Sequence, residues 1–210
     1  RIPIYVKQPL LKKHWEELKD LNTELYSAAK AFYIYARAVN DFDGSKERFN
    51  TTVPALKKLK LELLETGDKV ATAIASIWLS MELTLSNPIK AVNEIEYALT
   101  YLPTRSSTLI LENALDSSTA HQWLRLAFTE LSVPSRAYFH SMKVIEERTQ
   151  NDGFVTWAYY TAVDALILQG KYDDALLISD KALEFVKSRN AEHETYLTLY
   201  QRLRLLVTGF

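Results

Sequence analysis

Three features of the chain predict an all-helical fold. Only five glycines and six prolines punctuate 210 residues, and they fall between long runs whose apolar residues recur at helical spacing. Alternating apolar and polar runs, the mark of half-buried strands, are absent from the sequence. Alanines also recur a heptad apart in two places, Ala91 with Ala98 and Ala175 with Ala182. Small residues at that interval let one helix lie close against another.

From Leu11 to Phe42 an apolar seam follows a heptad frame, with Leu11, Leu18, Leu25, Phe32 and Val39 at one position and His14, Leu21, Ala28, Tyr35 and Phe42 at the other. This describes a long helix packed lengthwise against another, stopped at Gly44. Lys46 to Glu65 follows with Phe49, Val53, Leu56, Leu59 or Lys60, and Leu63 on one side, so the two form a long-helix hairpin over residues 1–67, packed on the helices that follow. A homodimeric coiled coil is the alternative for the seam. Helices are then expected at Lys69–Leu85 and Pro88–Leu102, the second with proline at its start, where a missing N–H does little harm. Leu109–Leu115 is a short helix or an insertion. Ser118–Leu131 opens on a capping serine or threonine. Pro134–Arg148 begins Pro134-Ser135-Arg136-Ala137, echoing Pro88-Ile89-Lys90-Ala91. After a turn at Asn151-Asp152-Gly153 come Phe154–Gln169, Tyr172–Lys187 and a last helix, Glu192–Val207, without a mate.

The composition excludes several classes of function. Lys+Arg 25 against Asp+Glu 26 nearly cancel, and no dense basic block is present, so nucleic acid is not an expected partner. There is no cysteine, which removes disulfides, thiolate metal sites and cysteine nucleophiles and suits a cytoplasmic setting. The longest uncharged run, Val70 to Met81, falls short of the ~20 apolar residues of a transmembrane helix. Asn50-Thr51-Thr52 matches a glycosylation tripeptide that is common by chance. The chain opens on Arg1, and we expect it to be an internal piece of a longer protein.

The stretch Gly170, Tyr172, Ala175, Ala182 resembles the second helix of a tetratricopeptide repeat: a turn glycine, an aromatic, then two small residues a heptad apart. Ala91, Ala98 and Pro103 match the same frame earlier. The first helices match less well, because the family's small residue is replaced by Leu79, Val163 and Leu197. The separation of Ala91 from Ala175 is not a multiple of the family period of about 34 residues, and an insertion over Thr104–Ser117 absorbs the difference. The resemblance covers residues 68–210 and implies a right-handed superhelix of antiparallel helix pairs, preceded by the hairpin. It also implies a concave groove lined by Trp157, Tyr160, Asp164 and Ile167, where a peptide would lie with the aromatics as anchors. In the earlier unit the equivalent positions are Ala73, Ser76, Ser80 and Leu83, an uncharged wall.

Catalytic signatures are missing: no serine elbow, phosphate-cradling loop or dinucleotide fingerprint occurs. Asp41-Phe42-Asp43-Gly44 has part of a calcium loop but lacks its closing glutamate. None of the four histidines has metal-ligand spacing, so no metal and no cofactor is expected. The function expected is therefore a non-enzymatic interaction scaffold or adaptor subunit, with Trp157, Tyr160, Asp164, Ile167, Ser76 and Ser80 as partner-binding residues. Its partner would be another protein or peptide. Residues 192–207, with more apolar surface than one packing face needs, would meet a second copy or further repeats. The alternative is a ligand-sensing or enzymatic helical domain with a pocket near His121, Trp123, His140 and Trp157.

Overall fold

The computed structural model describes residues 46–102, 116–148, 153–189 and 192–208. They form eight helices and no strand: α1 Lys46–Thr66, α2 Lys69–Leu83, α3 Pro88–Leu99, α4 Ser117–Glu130, α5 Pro134–Glu147, α6 Gly153–Leu168, α7 Tyr172–Ser188 and α8 Glu192–Thr208. The expected long helix over Leu11–Phe42 with its Gly44 cap, the Leu109–Leu115 element and the turn at Asn151-Asp152 lie outside the described residues.

The chain divides into two compact units, Arg1–Pro103 and Thr104–Phe210. The turn at residue 67, expected to end a hairpin packed on the helices that follow, lies inside the first unit, where α1 packs against α2. Gly67, at φ +74, closes the turn between them, its N–H donating to Leu64 O at 3.1 Å. Such a positive φ suits glycine because it has no Cβ to clash. α1 buries Val53, Leu56, Leu59 and Leu63, the apolar side read from the sequence. Asp68 caps α2 by accepting from Ala71 N–H at 2.9 Å. Every residue from Ala71 to Ser80 is buried, so α2 is the interior rod of its unit rather than an amphipathic surface helix. α3, capped by Asn87 with Pro88 in its first turn, buries Ala91, Val92, Ile95 and Ala98. Lys60 of α1 donates to Glu94 of α3 at 2.6 Å.

In the second unit, α4, α6 and α8 form one layer, α6 touching both neighbours, while α5 and α7 cover the other side. Asp116, not a serine or threonine, caps α4: it accepts from Thr119 N–H at 2.9 Å and from the Ser118 hydroxyl at 2.6 Å. The carboxylate one turn upstream holds the free N–H groups, and the hydroxyls bond to it instead. The corners α4–α5 and α6–α7 are the same motif. Val133 N–H reaches back to Phe128 O at 2.9 Å and Ser132 N–H to Thr129 O at 3.0 Å. Lys171 N–H likewise reaches Leu166 O, and Gly170 N–H reaches Ile167 O, both at 2.9 Å. These paired bonds satisfy the last carbonyls of each helix and turn the chain back, with Ser132 (φ 55) and Gly170 (φ 71) at the left-handed position.

The offset from Ser132 to Gly170 also carries Ala120 to Ala158, Ala127 to Ala165, Ala137 to Ala175 and Ser141 to Ser179, all buried. Two helix pairs thus repeat one packing scheme. The core joins Ala162, Val163 and Leu166 of α6, Ala175 and Ile178 of α7 and Leu205 of α8, with Tyr138, Met142, Tyr159 and Ile167 packed against it. Among the described residues, no helix is long and apolar enough to cross a membrane.

Candidate functional site: an aromatic groove on the second unit

The face of the α4, α6, α8 layer away from α5 and α7 holds an open groove of about 450 Å³. α6 supplies half of its wall: Phe154, Trp157, Tyr160, Thr161 and Asp164 recur at intervals of three and four residues and so share one side of the helix. Trp157 is 57% exposed, a large apolar surface left in water. Its ring meets Tyr160 edge-on, with centroids 5.7 Å apart. Tyr160 is only 7% exposed. Its hydroxyl donates to Glu194 O at 2.8 Å and lies 3.2 Å from the Thr198 hydroxyl on α8. Burial raises its phenol above the usual range. Tyr160 therefore pins α8 to α6 and braces the exposed indole.

α4 contributes Gln122, Trp123, Arg125 and Leu126, and α8 contributes Gln201. Arg125 is 3% exposed. Its Nε–H donates to Gln122 Oε1 at 2.9 Å, and an Nη1–H donates to the Thr161 hydroxyl. Burial, with the nearby charge of Arg148, lowers its guanidinium to about 10, so it stays charged at neutral pH. Arg148 ties the end of α5 to the start of α4, donating to Ser118 and Thr119 at 3.0 Å each. Its guanidinium sits 4.8 Å over the Phe154 ring.

Of the residues expected to bind a partner, Trp157, Tyr160 and Asp164 line this groove. Ile167 does not: it packs on the core between the layers. Ser76 and Ser80 are 0% exposed, and Ser80 donates to Ile77 O at 2.7 Å. They form no open wall, because α2 is enclosed on all sides. Arg125 was missed, although a lone charge within Trp123-Leu124-Arg125-Leu126-Ala127-Phe128 was the available signal.

His121 and His140 do meet, between α4 and α5, with Nδ1 to Nδ1 at 3.0 Å. Trp157 is not with them; it stands in the groove. His121 Nε2 lies 3.7 Å from Glu147 Oε1, and Ser117 donates to the other oxygen of that carboxylate at 2.7 Å. Glu146 pairs with Lys143 instead. His140 is stacked on Phe128 at 5.5 Å and meets the edge of Phe139 at 5.0 Å. Burial lowers His140 to about 4, helped by His121 and Arg136, and burial also lowers His121. The pair is a neutral, hydrogen-bonded packing element at ordinary pH. Among the described residues, no group of three or more His, Asp or Glu is arranged to hold a metal ion.

No protein-family model matches this chain, and no curated protein matches it.

Proposed function

We propose that this protein is a non-enzymatic interaction scaffold, a tetratricopeptide-like stack of helix pairs that takes a partner segment into the groove of its second unit. The observation that carries this reading is Trp157. It is more than half exposed, and its ring rests edge-on against Tyr160, which is itself buried and bonded to α8. A large aromatic left in water beside a buried partner ring matches the anchor residues of protein interfaces, where Trp and Tyr dominate the binding energy. The paired corners at Ser132 and Gly170, and the alanines repeated at the same offset, support the helical-repeat reading. A cytoplasmic setting accords with a chain that uses no cysteine.

The apolar residues of α8 belong to the same proposal. Leu199, Leu203, Leu206 and Val207 are exposed while Leu205 is in the core, so a second copy or a further repeat would cover one side of a helix already anchored on the other. The test is a display selection of short linear peptides, both termini blocked, against the native chain and against W157A. Peptides enriched on the native chain and lost on W157A support docking in the groove. Enrichment that ignores the substitution, or none at all, overturns it.

A further inference from the structure

The groove's most unusual group is a cation at its floor. Arg125 is almost wholly buried, and both its hydrogen-bond partners, the Gln122 amide and the Thr161 hydroxyl, are neutral. No carboxylate lies within ion-pair distance of it among the described residues. Those bonds use Nε–H and one Nη1–H, while a guanidinium has five N–H donors in a planar fork. Nη2 has no hydrogen-bond partner among the described residues, which leaves its N–H groups for an acceptor from outside. Taking a charge out of water without an opposite partner costs on the order of several kcal/mol, so such a residue needs a reason to stay. Arg148 adds a second positive charge close by, and the tryptophans Trp123 and Trp157 border the same space.

We propose that the groove binds a partner polypeptide through one acidic side chain, whose carboxylate accepts from Nη2 of Arg125 while neighbouring apolar side chains lie against Trp123 and Trp157. This rests on the docking reading above and names the chemistry of the occupant. A carboxylate fits the chemistry because a bond between opposite charges in a water-poor site is stronger than a neutral one. The groove also contains the carboxylate of Asp164. Most of the remaining lining is aromatic or apolar, so a single acidic position set among apolar ones is expected.

The test starts from the Trp157-dependent peptides selected above. They should share one fixed aspartate or glutamate, and exchanging it for the amide should weaken binding by at least about thirtyfold, as for one partner of a buried charge pair. In R125M the acid and amide peptides should bind equally, and R125K should restore part of the difference. If R125M does not fold, as read by circular dichroism, the acid-to-amide exchange measured on the native chain decides alone. Trp157-dependent peptides without a fixed acidic position overturn the carboxylate assignment and leave the docking groove standing. A phosphoserine version that binds where the glutamate version does not overturns it in favour of a phosphorylated partner. If no peptide depends on Trp157, both readings fall.

Discussion

Ser132 and Gly170 occupy the same left-handed corner, one with a Cβ and one without. Because L-residues are disfavoured there by about 1 kcal/mol, S132G is expected to stabilise the protein by roughly that much, and G170A to destabilise it similarly. Nothing lies within 4 Å of a Cβ added at Gly170, so the second effect comes from backbone conformation alone. Urea unfolding of the two variants would check both signs. The histidine pair predicts a pH effect. The folded His140 titrates near 4, below its ordinary 6.5, because of burial, His121 and Arg136. His121, also depressed, feels Glu147, Asp116 and Glu146 against Lys143. The unfolded chain therefore takes up protons first as pH falls. Stability should be full above about pH 6.5, decline through the interval down to about 4, and level off below it. The loss attributable to His140 is on the order of 3 kcal/mol, from about 1.4 kcal/mol per pKa unit. H140N should flatten that decline in melting temperature measured from neutral to acid pH.

At the scale of the helix, residues that end elements were readable while their partners were not. Proline in the first turn of α3 and α5, and glycine after α1 and α6, mark boundaries through fixed or positive φ, which is a local property. The cap of α4 was misplaced by a short step because Asp116, Ser117, Ser118 and Thr119 are all competent acceptors, and only the folded backbone selects Asp116. The groove wall was half legible. The resemblance to a tetratricopeptide repeat implied Trp157, Tyr160 and Asp164 as groove residues, but the same register on α2 gave Ser76 and Ser80, and a register cannot reveal that α2 is covered on every side. α8 shows both sides of one helix. Leu205 is 3% exposed and Leu203 is 59% exposed. L205A should therefore cost about 2–5 kcal/mol as a core truncation. L203E should change stability by no more than about 0.5 kcal/mol and lower any self-association of the chain. Thermal unfolding with light scattering would separate the two effects. Removing α8 entirely would be a poor probe, since it also removes Leu205 and the partners of Tyr160.

For the whole molecule, the sequence conveyed the helical class, and it set the end of a hairpin packed on the following helices at residue 67, where a turn glycine interrupts the chain. A turn and a domain boundary look alike in sequence; what separates them is whether apolar faces on either side meet, and those of α1 and α2 do. The second unit has its own core, built from α6, α7 and α8 with residues of α5 packed on it. The groove, the Arg125 bonds and the histidine pair are also made between its own residues. A unit of this size is large enough to fold by itself when its apolar faces are satisfied internally. The fragment Thr104–Phe210 is therefore expected to show helical circular dichroism, to unfold cooperatively, and to bind the Trp157-dependent peptides within about threefold of the full chain. A disordered fragment would mean that the unit needs support from the rest of the chain. A folded fragment that has lost the peptides would place an essential part of the docking surface outside Thr104–Phe210.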